Sequence, residues 1–227
     1  IATGHYARVR KLPSGRYTLQ KSATEAKDQT YALYNLTQRQ LAHTLMPVGE
    51  YTKEEIRAIA GRIGLRTANK PDSQEICFIP DHNYARFIER EQKGAVPPPG
   101  NFVTKDGKAL GQHKGITHYT IGQRKGLGIA LGVPMFVTEL RPDTNEVVLG
   151  GNEEVFGTAL SGDKLNLMSI PDLEGELEVT AKIRYNHTGA PCTIRKSGEG
   201  RVFCQFHEPV RAITPGQAVV FYNGDLV

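Results

Sequence analysis

The chain has 227 residues, 39% hydrophobic and 23% charged, an ordinary soluble globular composition with room for one large domain or two to three small ones. No apolar run is long enough to cross a membrane as a helix. Three cysteines are too few, and odd in number, for a disulfide framework, which points to a reducing cytoplasm. The net charge of +4 permits a nucleic-acid partner without requiring one.

The opening Ile1-Ala-Thr-Gly-His-Tyr6 reads as the end of a strand entering a loop. With no initiating Met and no signal peptide, the sequence is expected to be a fragment that lacks its N-terminal part. Strands over 6–10 and 17–20 flank a turn at Pro13-Ser-Gly15. Two helices follow, each announced by a capping box and a hydrophobic staple: Thr37 with Gln40 and Leu36 with Leu41, then Thr52 with Glu55 and Tyr51 with Ile56. Ile56, Ile59, Ala60 and Ile63 keep a helical period until Gly64 stops it. A third helix is expected after Asp81, burying Tyr84, Phe87 and Ile88. Beyond Pro97-Pro-Pro-Gly100 the strands are short and glycines frequent, with a hairpin turn at Lys105-Asp-Gly-Lys108 and paired strands over 134–140 and 146–149. From about Asn152 the chain is strand after strand. Residues 176–185 alternate so that Leu177, Val179, Ala181 and Ile183 share one face.

This pattern predicts an α+β multidomain chain: a helical remnant of an α/β domain over 1–94, a small β-rich central domain over 95–152, and a C-terminal antiparallel β-barrel over 153–227. Small sandwiches share the barrel's strand pattern.

Cys77, in Lys70-Pro-Asp-Ser-Gln-Glu-Ile-Cys-Phe-Ile-Pro80, is the cysteine that speaks for chemistry. It lies between two helices, with Arg66 and Lys70 upstream to favour a thiolate. A buried, small apolar residue fits the same run equally well. Cys192 and Cys204, with His187 and His207, superficially resemble zinc ligands, but strand alternation sets Cys204 beside Val202 and Phe206 and turns His207 to the other face. Both cysteines therefore read as core, and no metal site is expected.

The run from His113 to Ile129 offers Lys114, Arg124 and Lys125 for phosphates, His118 and Tyr119 for stacking, and several glycines. That mix suits RNA; a solvated basic loop is the plainer alternative. Gly4-His5-Tyr6, past a strand end, is where an α/β sheet would meet a nucleotide, although a simple turn explains the tripeptide too. Lys27-Asp28-Gln29 reads as a polar lead-in, and Arg184-Tyr185 as a strand-end pair.

In order along the chain, Ala2-Thr-Gly-His-Tyr6, Lys27-Asp-Gln-Thr-Tyr31, Met46-Pro-Val-Gly-Glu50, Asp72-Ser-Gln-Glu-Ile-Cys-Phe-Ile79, Gly122-Gln-Arg-Lys-Gly-Leu-Gly-Ile129, Lys182-Ile-Arg-Tyr185 and Thr214-Pro-Gly-Gln217 resemble the tRNA-specific 2-thiouridylase (MnmA, or TrmU) family. The resemblance implies that residues 1–94 are the C-terminal part of a PP-loop ATP-pyrophosphatase domain. It also implies that the whole enzyme uses ATP with Mg2+ to activate C2 of the wobble uridine in tRNAs for Lys, Glu and Gln, and then inserts sulfur. Cys77 matches the persulfide carrier, loaded by a sulfur-relay protein or a cysteine desulfurase. Gly4 matches an ATP contact. His5, Lys27, Asp28, Gln29, Arg184, Tyr185 and Gln217 match tRNA contacts.

The family's Ser-Gly-Gly-x-Asp-Ser run and its first catalytic cysteine do not occur in these 227 residues. The polypeptide alone is therefore expected to hold no tightly bound cofactor and to be catalytically inactive, and its first strand is expected to expose apolar surface. The competing readings are an RNA-binding module in which Cys77 is structural, and another ATP-pyrophosphatase relative acting on an amino acid or nucleotide.

Overall fold

A computed structural model of the chain describes residues 1–69, 79, 83–91 and 97–227; Cys77 and the rest of its run, apart from Ile79, lie outside them. The chain divides into two compact units, the first made of Ile1–Lys70, Thr158–Glu208 and Pro215–Val227, the second of Pro71–Gly157 and Pro209–Thr214.

In the first unit, β1 (Ala7–Lys11) and β2 (Tyr17–Lys21) form an antiparallel hairpin. Ala7 and Leu19 pack with Leu41, Met46 and Met168 into a small core. Polar clamps fix this hairpin on its neighbours. The Gln38 side chain accepts from the Tyr17 N–H at 2.8 Å and donates to the Tyr17 carbonyl at 2.7 Å. The Arg16 guanidinium donates to the carbonyls of Leu167 and Met168. The fully buried Thr18 hydroxyl donates to the Val227 carbonyl at 2.6 Å.

The two boxed helices form as the local signals require. In α1 (Gln38–Ala42) and α2 (Lys53–Arg62) the N-cap threonine accepts from the N3 backbone, and the N3 side chain accepts from the N-cap backbone. Glu54 and Glu55 in the first turn of α2 and Arg62 in its last suit the helix dipole. Between the helices, Met46-Pro-Val-Gly-Glu50 makes a single 3-10 turn over Pro47–Glu50. A Cβ on Gly49 would lie 1.9 Å from the Ala7 carbonyl oxygen, so only glycine lets this turn sit on β1. Glu50 then pairs with Arg10 at 2.8 Å and Arg8 at 3.5 Å. Ala2 bridges to Leu45 in parallel fashion, and Ile1 and Leu45 are 87% and 69% exposed, as expected of an apolar first strand.

The C-terminal strands β7 (Phe156–Gly162), β8 (Glu176–Lys182), β9 (Ala190–Gly198), β10 (Arg201–Arg211) and β11 (Val220–Tyr222) pair in the order β11-β8-β9-β10-β7. This corrects the expected barrel: the sheet is open, with β11 and β7 as its edges. The shortness of β11 accounts for it, because after three residues the Asn223–Leu226 turn takes the chain out of the sheet.

In the second unit, β3 (Gly100–Val103), β4 (Ala109–His113), β5 (Phe136–Arg141) and β6 (Glu146–Gly150) pair in the order β4-β3-β6-β5, with β3 and β6 parallel. Phe102, Val137, Val147 and Leu149 lead its core. The turn between β5 and β6 carries Asn145 at φ 52°, a conformation Asn tolerates better than most residues. The third helix, α3 (Tyr84–Glu91), begins after Asn83, whose Oδ1 accepts from the Arg86 N–H at 3.0 Å. Its apolar face is less buried than expected: Phe87 is half-buried, Tyr84 and Ile88 are exposed, and Ala85 is its one buried residue.

Candidate functional site

The first unit gathers residues 27–31, 184–187, 217–218 and 222 around one aromatic side chain. After β2 come two short 3-10 turns, Glu25–Lys27 and Thr30–Leu33, with Asp28 and Gln29 between them. Asp28 is turned inward and both of its oxygens are taken: Oδ1 by the Ser22 N–H at 3.0 Å, Oδ2 by the Thr30 hydroxyl at 2.5 Å. The Thr30 proton is thus committed, so the Tyr222 hydroxyl is the donor in its 3.1 Å contact with the Thr30 oxygen. Burial pushes the Tyr222 phenol up to about 12, and Asp28 adds to the effect. Lys21 caps this phenol ring with its ammonium 5.0 Å from the centroid.

Gln29 ties the turn to the segment after Gly4. Its side-chain oxygen accepts from the Tyr6 N–H, and its own N–H donates to the Tyr6 carbonyl, both at 2.9 Å. Asp28 and Gln29 therefore hold the turn in place, and Lys27 is the exposed member of the triplet. His5 is partly buried, with its Nδ1 2.8 Å from the Thr3 hydroxyl.

Tyr31 joins this knot to the sheet. Its hydroxyl donates to the Ala218 carbonyl at 2.7 Å, next to exposed Gln217. Its ring meets that of Tyr185 edge-on, with centroids 6.2 Å apart. Burial and the nearby Tyr34 raise the Tyr31 phenol, while the Arg184 guanidinium pulls it back. Tyr185 is 47% exposed, at the start of the loop after β8. In the same loop the His187 Nδ1 is buried and has no hydrogen-bond partner among the described residues. Burial, then Arg184, holds the His187 imidazole below its ordinary range, with the Ala181 carbonyl opposing and Lys182 reinforcing the shift. The result is a patch that offers a cation, an exposed aromatic ring and an amide on a rigid polar knot, which suits phosphate, base and sugar contacts.

Of the residues expected as contacts from sequence, 28, 29, 184, 185 and 217 thus converge; Lys27 is the exposed neighbour of Asp28, and the His5 ring faces Thr3. Tyr31, Thr30 and Tyr222, which bind them together, were missed. Their partners are up to 192 residues away in sequence, and the only local hint was that Thr30 and Tyr31 complete the Lys27-Asp-Gln-Thr-Tyr31 run. Cys77 lies outside the described residues. Gly4 is exposed, and a Cβ there would meet nothing within 4 Å. The N–H groups of Thr3, Tyr6 and Ala7 are bonded within the chain, whereas those of Gly4 and His5 meet no acceptor among the described residues. Two successive N–H groups fit one contact to a nucleotide and no triphosphate cradle.

In the second unit the basic loop differs from expectation. Tyr119 is 5% exposed, packed edge-on against Phe102 and His113 in the core, so it is unavailable for stacking. His118 pairs with Glu89 at 3.2 Å. The Gln123 side chain closes its own loop, accepting from the Thr120 N–H and donating to the Lys125 carbonyl. Arg124 and Lys125 remain exposed. Cys192 and Cys204, in the first unit, are fully buried on neighbouring strands and held close enough to interact; the hydrogen bond with Cys192, and then burial, push the Cys204 thiol up strongly.

Three family models match the chain in succession: a tRNA methyl transferase HUP domain over residues 1–81, a tRNA methyl transferase PRC-barrel domain over 86–151 and an aminomethyltransferase beta-barrel domain over 158–227. The tRNA-specific 2-thiouridylase MnmA of Lachnoclostridium phytofermentans is 65% identical over 227 residues, which are 100% of this chain and 63% of that protein. The proteins of the same name from Clostridium botulinum and Clostridioides difficile are 56% and 53% identical, again over 100% of this chain and 62% and 63% of their own lengths. The chain thus spans a little under two thirds of the length of these curated relatives.

Proposed function

The chain belongs to the tRNA-specific 2-thiouridylase MnmA family, and we propose that it is the RNA-gripping and sulfur-carrying portion of a tRNA-uridine 2-sulfurtransferase. The observation that carries this reading is the convergence of Arg184, Tyr185 and Gln217 on the Tyr31 knot, three family-matched positions brought by two distant stretches of sequence to the segment that follows Lys27. In this reading the domains keep the bounds read from sequence, 1–94, 95–152 and 153–227, although residues 1–70 share a compact unit with most of the third and 71–94 fall in the unit of the second.

In this reading the substrate is a tRNA of the Lys, Glu or Gln class, held with its wobble uridine unpaired. Arg184 and Lys27 take backbone phosphates, Tyr185 supplies a stacking face, and Gln217 and His5 offer hydrogen bonds. Asp28 acts by positioning, since both of its oxygens are spent inside the protein, and Gln29 holds Tyr6 through its side-chain oxygen. ATP, bound with Mg2+, would supply the activation: transfer of AMP to the uridine O2 with release of pyrophosphate would let that oxygen depart as part of AMP.

Cys77 carries the sulfur as a persulfide, loaded by a relay protein or a cysteine desulfurase. Its terminal sulfur bonds to C2 as the activated oxygen departs. A second thiolate then attacks the Cys77 sulfur, breaking the S–S bond to leave thiouridine and a disulfide that a dithiol reductant reopens. Cys192 and Cys204 are sealed in the sheet and do not serve as that second thiol. The 227-residue polypeptide alone does not turn over, and thiolated tRNA formed from it with ATP and a sulfur donor would refute this.

Filter binding of an unmodified tRNA transcript tests the grip. Saturable binding that weakens in an Arg184→Ala/Tyr185→Ala variant supports the reading. Equal binding by the variant, or none by the wild type, overturns it.

A further inference from the structure

Against the inner face of the five-stranded sheet, wholly within the first unit, lies a cavity of about 570 Å3. Its floor is apolar, formed by Leu177 and Val179 of β8, Ile194 of β9 and Val202 of β10. Protein interiors pack nearly as densely as organic crystals, with few voids larger than a water molecule. A hollow of this size is in the range of small-ligand sites. On its solvent side stand exposed Tyr34, Asn35, Gln217 and Asn223. The side-chain amides of Asn35, Gln217 and Asn223 make no hydrogen bond to any described residue. By contrast, Asn166 spends its NH2 group on the Tyr34 and Leu36 carbonyls, at 2.9 and 3.0 Å, and so fixes that wall.

We propose that this cavity receives one unpaired purine base of the bound RNA. The apolar floor accepts the ring, the three amides read its polar edge as Asn and Gln do with adenine, and Tyr34 offers a stacking face at the mouth. The charged residues on the lining are the adjacent Asp163 and Lys164, of opposite sign, so the site is not built for the phosphates of a free nucleotide. The mouth is continuous with the proposed grip through Gln217, next to the Ala218 carbonyl that holds Tyr31. The inference rests on the reading that RNA binds this unit.

The probe is a single-stranded RNA hexamer with one 2-aminopurine, titrated against the 227-residue chain with tRNA filter binding in parallel. The expected result is a saturable change in emission, weakened at least about fivefold both by surface Asn35→Ala/Asn223→Ala and by cavity-filling Val179→Phe. No saturable signal, or equal binding by the surface variant, overturns the proposal. 2-Aminopurine riboside binding as tightly as the hexamer would make this a free-nucleoside site, which also overturns it. If tRNA binds while the hexamer does not, this inference fails alone; if neither binds, the reading beneath it fails as well.

Discussion

The Tyr31 hydroxyl reaches the carbonyl of Ala218 across 187 residues of sequence, at 2.7 Å. That bond fixes the 3-10 turn Thr30–Leu33, next to Asp28 and Gln29, to the stretch carrying Gln217, while the same ring meets that of Tyr185 edge-on. Tyr31→Phe keeps the ring and leaves a partly buried carbonyl unpaired. It should cost about 1 kcal/mol of stability in urea unfolding and weaken tRNA binding, although residue 31 is itself 8% exposed. Unchanged tRNA affinity would show that the knot does not position the contacts.

Arg184→Ala should weaken tRNA binding at every sequence and flatten the plot of log affinity against log salt by about one phosphate contact. Filter binding over a salt series reads this directly. A slope equal to the wild type's would remove Arg184 from the phosphate contacts.

His187 gives the account a pH signature. Its folded value lies below its unfolded value because of burial and the Arg184 charge. The unfolded chain therefore binds more protons as pH falls through about 6.5. The stability involved is fully present above that pH and is lost as pH drops toward the folded value. Urea midpoints between pH 7.5 and 5 should fall more steeply for the wild type than for His187→Gln; parallel slopes would contradict the assignment.

Gly49→Ala should be among the most damaging single changes in the first unit. Its methyl group would enter the Ala7 carbonyl, and backbone cannot step aside as a flexible side chain can. A loss of about 3 kcal/mol is expected, read by thermal or urea unfolding. Wild-type stability would mean that the 3-10 turn does not rest on β1.

The sequence-legible parts are those decided within a few residues. Thr37 and Thr52 announce their helices because each box closes over four residues, and the β5–β6 hairpin follows from its turn. Barrel closure was not legible, since it depends on how far β11 runs before Asn223. Tyr119 was misread because its polar neighbours looked like a surface loop, whereas Phe102 and His113, brought together by pairing of β3 and β4, claim its ring. At the site, the proposed contact positions come from the family resemblance alone. The knot beneath them was not, because Asp28 and Gln29 look like solvated polar residues until Ser22, Thr30 and Tyr6 are seen to occupy them.

The account turns on Cys77 as a sulfur carrier. The chain should be incubated with a cysteine desulfurase, its relay proteins and 35S-cysteine, then resolved without reductant. The expected result is label on the chain that dithiothreitol releases, that Cys77→Ser abolishes, and that Cys192→Ser and Cys204→Ser leave in place. No releasable label on wild-type chain, or label undiminished in Cys77→Ser, would contradict it.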